Sequence, residues 1–264
     1  MKFRVLALLF SILMLMLSVG CSVDDSRTPS DITSSVPSAS GNATSSENVS
    51  SDTASSQIKL PTDMTPGFKL QDGWLFYVNE NKQLLKDGKV GDLYFDADGR
   101  YTSGNAELDK LVADTLTKLV NENPDKKGED LLRVIHVYCR DNFKYLRRKD
   151  GDLDYGATGW AANKAYEMMS TGRGNCYNFA AAFWALSRGI GYETYVISGT
   201  CTKTNQPHGW CLINIDGKDY FFDCEWEYAY YYDRVQHPEP RYEMDMFKIP
   251  MSKISYWKYK WDKY

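Results

Sequence analysis

The sequence predicts an α+β fold, with N-terminal helices packed on an antiparallel sheet and a small β-hairpin module ahead of them. Three observations carry this expectation. Apolar residues recur at three-and-four spacing after Asn105 (Leu108, Leu111, Val112, Leu116, Leu119, Val120) and again at Leu131, Leu132, Ile135, Tyr138 and Cys139, the period of an amphipathic helix. Asp216-Gly217 lies between two strand-like runs and signals a tight hairpin. Short aromatic runs between about Asp72 and Gly104 are separated by Gly and Asp, which reads as further hairpins.

Taken in order, the chain opens with a basic lead, Met1-Lys2-Phe3-Arg4, and an apolar run from Val5 to Leu17. That run has the length of a signal-peptide core and is short for a bilayer span. It ends in Leu17-Ser18-Val19-Gly20-Cys21, which resembles a bacterial lipobox. The resemblance implies a leader over 1–20, a lipid anchor on Cys21 and a location on the outer face of the membrane. Residues 21–60 are rich in Ser, Thr, Asp and Asn with little to bury, so they read as a flexible tether. The formal net charge of −4 includes Lys2 and Arg4 of the leader, and the remainder is more acidic still. No basic patch points to nucleic acid.

The segment 61–105 holds Gly73-Trp74-Leu75-Phe76-Tyr77 and Tyr94-Phe95-Asp96-Ala97-Asp98-Gly99. These runs resemble the cell-wall-binding repeats of Gram-positive surface proteins, which hold choline or glucan between stacked aromatics. Barely one and a half units are present, and a repeat that stacks on neighbours has few here. Packing on the following domain is the competing expectation.

The domain expected over 106–264 begins with the two helices, continues through a loop around Asp150-Gly151-Asp152, and adds a third helix from Trp160 to Met169. Pro124 follows the first helix, and His136, beside the stripe of the second, reads as a packed residue. Next comes Gly172-Arg173-Gly174-Asn175-Cys176, then a helical pattern of Phe179, Ala182, Phe183 and Leu186. Cys176 thus opens a helix, where the dipole and backbone amides favour a thiolate. Taken alone it would read as a small buried hydrophobe.

The hairpin changes that reading. A tight turn pairs Ile215 with Lys218, which sets Trp210 against Asp223 and makes His208 a diagonal neighbour of Asp223. Extending the strand places Glu225 opposite His208 as a rival carboxylate. Cys211, Ile213, Ile215, Tyr220, Phe222, Cys224 and Trp226 then share the core face, leaving the other face for a site. Cys139, Cys201, Cys211 and Cys224 have no spacing that selects a pairing and read as buried free thiols.

Gly174-Asn175-Cys176, the helix behind it, His208-Gly209-Trp210 and the strand from Gly217 to Asp223 resemble the core of the transglutaminase-like superfamily over roughly 106–230. The resemblance implies a transglutaminase-like (papain-like) core with Cys176 as nucleophile, His208 as general base and acid, and Asp223 as its orienter. It favours Asp223 over Glu225. Gly209 and Asn178 depart from the residues common at those positions, as does Cys224-Glu225-Trp226. Papain-like peptidases also order cysteine before histidine, but a carboxylate so soon after the histidine fits the transglutaminase-like pattern better. The expected activity is acyl chemistry on an amide of a protein or peptide, foremost as a cysteine peptidase. Amine transfer and a non-enzymatic wall-binding module are the alternatives. No cofactor or metal is implied, and the Asp residues near 96–98 and 150–154 do not form a calcium loop.

Overall fold

A computed structural model of the protein describes residues 59–146, 152–202, 205–236 and 244–262. The expected leader, Cys21, most of the tether, Asp150, Gly151 and His237 lie outside them.

Five short strands come first: β1 (Gly67–Gln71), β2 (Trp74–Val78), β3 (Gly88–Val90), β4 (Leu93–Phe95) and β5 (Tyr101–Thr102). β1 pairs with β2, and β3-β4-β5 form a separate antiparallel sheet. Asp72 and Gly73, both at positive φ, turn the first hairpin. A side chain at Gly73 would run into the Ala113 carbonyl of the first helix, so the hairpin tip packs directly on that helix.

α1 (Ala106–Glu122) is capped by Asn105, whose side chain accepts the Leu108 amide at 3.0 Å. α2 (Gly128–Asn142) follows, then β6 (Lys144–Tyr145), α3 (Ala161–Thr171), β7 (Arg173–Gly174) and α4 (Cys176–Arg188). α4 is buried almost all round, as its alanine-rich surface allows, and forms the centre of the main core with α1, α2 and α3. Gly189, the C-cap of α4, has ordinary helical φ. A Cβ there would meet Val112 and Leu116, and the left-handed residue is Gly191.

β8 (Thr194–Cys201), β9 (Gln206–Ile215) and β10 (Lys218–Phe222) make the main antiparallel sheet. Ile215 pairs with Lys218, and the ladder runs to Cys211 opposite Phe222, as the tight turn predicts. Asp216 and Gly217 both have positive φ, the requirement of such a turn. There the agreement stops, because α5 (Cys224–Gln236) replaces the expected extension of the strand. Asp223 accepts the Trp226 amide at 2.9 Å, and Glu225 and Glu227 stand in the first turn, a combination that starts a helix.

The chain returns through β11 (Ile249–Pro250), which joins the sheet edge at β10, a 3-10 turn (Met251–Lys253) and α6 (Ile254–Trp257). Lys260 then bridges to Thr200 of β8. One face of the sheet carries Cys211, Ile213, Ile215 and Phe222 against the helices. The second face, expected to be open, is also buried: Ile197, Trp210, Leu212 and Phe221 lie under Met246, Ile254 and Tyr259. Among the described residues no helix is long and apolar enough to cross a membrane.

Candidate active site

Gly172, left-handed at φ 71°, closes α3 and donates its amide to Met168. Two residues on, a Cβ at Gly174 would collide with Asn178, so glycine is required there by close approach. Asn175 and Asn178 cap α4 reciprocally. The Asn175 side chain accepts the amides of Tyr177 (3.2 Å) and Asn178 (3.4 Å), and Asn178 Oδ1 accepts the Asn175 amide at 3.0 Å. Asn178, a departure from the family pattern, thereby fixes the helix start and also donates to Lys164 O and Glu167 Oε2. The cap takes two first-turn amides, and the Cys176 amide is not among them. Cys176 is the first residue of α4 and only 5% exposed. Arg173 is exposed.

His208 lies on β9 opposite Gly199, buried at 4% exposure. Its Nε2 donates to Asp223 Oδ2 at 2.6 Å, and Cys176 lies near enough to the ring to act on its charge. Burial opposes a charge on the ring, but the Asp223 carboxylate, with help from Cys176, outweighs it and holds the imidazole well above its usual pKa. The structure thus pairs His208 with Asp223 and sets Cys176 at the first position of α4.

Glu225 stays close by another route. It stands on the first turn of α5 rather than on the strand, with Oε2 3.9 Å from His208 Nδ1. Burial pushes its carboxyl up to about 7, with His208 opposing and Asp223 adding to the rise. Asp223 makes the better orienter on distance and on support, since Tyr259 also donates its hydroxyl to Oδ2 at 2.7 Å.

Gly209 explains another family departure. A Cβ there would sit 2.6 Å from Tyr177 Cδ1 and 3.0 Å from Tyr177 Cα. The bare backbone lets β9 approach the start of α4, and that contact sets the distance from imidazole to thiol.

Sequence reasoning gave Tyr259 no role and put Trp226 on the core face, whereas it packs with the cluster on the other face of the sheet. Trp226 meets the His208 ring edge-on at 5.6 Å, and Tyr259 and Trp261 pack edge-on against Trp210 at 4.9 and 5.7 Å. The only signal was an aromatic-rich tail, and nothing local paired it with β8. Cys139, Cys201, Cys211 and Cys224 are buried free thiols; burial, with Cys139 nearby, raises Cys224 well above the usual thiol pKa. His136 is fully buried between Phe183 and Phe247, edge to face.

In the hairpin segment Trp74 is covered by Arg100, 5.1 Å from its ring, while Phe68 and Tyr94 are each 39% exposed. Arg188 of α4 donates to the Tyr101 hydroxyl at 3.0 Å and to the Asp92 carbonyl. Tyr195 adds a bond to the Asp92 carboxylate at 2.9 Å. These contacts tie the hairpins to the helical core.

Residues 114–231 match the model of the transglutaminase-like superfamily. The core has a transglutaminase-like fold. The match contains Cys176, His208 and Asp223 and begins within α1. Among solved structures the chain is similar to a proposed cysteine protease from Cytophaga hutchinsonii, at 16% identity and TM-score 0.32, over 46% of this chain and 43% of that one. It is also similar to LapG of Legionella pneumophila, at 16% identity and TM-score 0.33, over 46% of this chain and 67% of that one. The chain therefore spans less than half the length of the Cytophaga protein. No curated protein sequence matches it.

Proposed function

We propose that the protein is a thiol enzyme that cleaves amide bonds of a protein or peptide, with Cys176, His208 and Asp223 as its triad. The observation that carries this reading is the buried pair of His208 and Asp223, joined through Nε2 at 2.6 Å, with Cys176 at the start of α4 near enough to help raise the pKa of the ring. Cys176 loses its proton to His208, and the thiolate attacks the amide carbon. The Cys176 amide at the start of α4 faces the developing oxyanion. Collapse breaks the C–N bond, and the His208 imidazolium gives its proton to the leaving amine. Water then attacks the thioester, leaves its proton on His208 and releases the acid, and the proton returns to the thiol.

Support comes from the transglutaminase-like match and from the direction in which Asp223 shifts His208. The Leu17 to Cys21 motif supports anchoring to the outer face of a bacterial membrane through Cys21, which incorporation of radiolabelled palmitate, abolished by Cys21→Ala, would test.

Iodoacetamide labelling tests the catalytic reading. Cys176 in the wild-type protein should alkylate rapidly down to mildly acidic pH, and His208→Ala should confine labelling to alkaline solution. Identical pH profiles for the two proteins would sink the assignment. Where the thiolate is confirmed, casein cleavage without incorporation of a fluorescent amine identifies a peptidase, and the reverse result identifies amine transfer.

A further inference from the structure

The carboxyl group of Glu225 has no part in the triad, yet it is buried beside the ring of His208. His208, Asp223 and Glu225 bring a ring nitrogen and two carboxylate oxygens within 4.8 Å of one another, but the two carboxylates are used differently. Asp223 is fully engaged, by His208 Nε2 at 2.6 Å, the Tyr259 hydroxyl at 2.7 Å and the Trp226 amide at 2.9 Å. Glu225 instead faces the other ring nitrogen, with Oε2 at 3.9 Å from Nδ1, too far for a direct hydrogen bond. Because Asp223 holds Nε2, Nδ1 is the nitrogen through which the ring exchanges a proton with any reacting group. Glu225 is therefore the carboxylate beside the working nitrogen.

We propose, on the triad reading above, that Glu225 is a further catalytic residue, which holds the hydrolytic water between its carboxylate and His208 Nδ1 and so selects water over an amine as acyl acceptor. Two polar atoms 3.9 Å apart are within the span that one oxygen bridges with a hydrogen bond of about 2.8 Å to each. The flanking groups are of the required kinds, a nitrogen that takes a proton and a carboxylate that accepts a hydrogen bond. A lysine amine brings a methylene with its nitrogen. Both flanking side chains are buried, so a gap of this width suits an acceptor without a substituent. Burial raises the Glu225 carboxyl to about 7, with His208 opposing and Asp223 adding to the rise, and the group is ionised from neutral pH upward.

In deacylation the water oxygen bonds to the thioester carbon and one water proton passes to His208 Nδ1. The C–S bond breaks with its electron pair returning to the Cys176 sulfur, the acid leaves, and the imidazolium proton goes back to the thiolate. Glu225 takes no proton in this cycle. It accepts a hydrogen bond from the second water hydrogen and so aims an oxygen lone pair at the carbon. Acylation, in which sulfur is the nucleophile, uses no water.

The test uses the full chain and p-nitrophenyl acetate, which acetylates a reactive thiol without a protein substrate. Acetylation of Cys176, located by peptide mass, should proceed at similar rates in the wild type and in Glu225→Gln. Once the reagent is removed, the variant should lose the acetyl group about 10- to 100-fold more slowly, the effect of one hydrogen bond to a charged group. Hydroxylamine, which needs no positioned water, should strip both proteins at matched rates, and Glu225→Asp, which keeps the charge, should regain part of the hydrolysis. The unaltered protein gives a second reading: water should prevail over millimolar monodansylcadaverine, a lysine-like amine, for the acetyl group. Equal hydrolysis in wild type and Glu225→Gln, acetylation and hydrolysis slowed by one common factor, or transfer to the amine that outruns hydrolysis each overturns the role of Glu225 and leaves the triad standing. A wild-type protein that takes no acetyl group on Cys176 defeats the triad reading and this one with it.

Discussion

Asp223 gathers five polar contacts: Oδ2 takes His208 and Tyr259, Oδ1 takes the Trp226 amide, its own amide donates to Met246 O at 3.1 Å, and its carbonyl accepts the Glu227 amide at 3.4 Å. One short side chain thus orients the imidazole and caps α5. One of its partners, His208, was legible from the hairpin register, and the choice of the Asp223 carboxylate from the family pattern. Tyr259 was not, because it comes from a segment 36 residues away that meets β8 at an isolated bridge between Lys260 and Thr200. Glu225 was legible as a neighbour but on the wrong element. Tyr259→Phe removes one hydrogen bond to a charged group, about 1.5–3 kcal/mol, while leaving the ring packing in place. Because the bond positions Asp223 rather than touching substrate, kcat should fall by roughly tenfold or more with KM nearly unchanged. A rise in KM at constant kcat would place Tyr259 in the substrate groove instead.

At the scale of elements, the order of α4, β9 and β10 was readable because each carries a local signal: an Asn cap, alternating apolar residues and an Asp-Gly turn. The start of α5 was not readable, since a strand register contains no instruction to stop. What ended it was the Asp223 cap, whose bond to the Trp226 amide competes with another rung of ladder. The approach of β9 to α4 was equally hidden, because a glycine reveals nothing about what it lies against. Gly209→Ala tests that approach. A methyl 3.0 Å from Tyr177 Cα presses on backbone, so the strand must shift, at a cost of about 1–3 kcal/mol. The urea midpoint should drop, and Cys176 alkylation at neutral pH should slow as imidazole and thiol separate. A lowered midpoint with unchanged alkylation would mean that some other contact sets their spacing.

Across the whole molecule, both faces of the main sheet are covered, one by the helices and the other by the returning C-terminal segment, and α2 meets that segment through a network of charged side chains whose Arg133–Asp245 pair is partly exposed. His136 is at its centre. From α2 it is faced by Arg133 and Arg140, from α5 by Glu227, 3.8 Å from Nδ1, and from the returning segment by Asp245. Arg140 binds Glu227 at 2.6 Å, and Arg133 binds Asp245 through both carboxylate oxygens. Neither ring nitrogen of His136 has a hydrogen-bond partner among the described residues. Burial, reinforced by Arg133, pulls its pKa from 6.5 down to about 3. The unfolded chain therefore takes up this proton below about pH 6.5 and the folded one only near 3. Stability from this residue is full above pH 6.5 and is lost as pH falls toward 3, with a slope of up to about 1.4 kcal/mol per pH unit. His208 works with the opposite sign: its raised folded pKa gives stability that is full below about pH 6.5 and fades as pH climbs through the folded value. Replacing His136 with Phe keeps the aromatic contacts to Phe183 and Phe247 and deletes the titration. Urea unfolding followed from alkaline solution down to pH 4 should then show a flatter acid limb in His136→Phe, while the alkaline limb governed by His208 stays in place. Parallel acid limbs in the two proteins would assign the acid sensitivity to the carboxylates of the network instead.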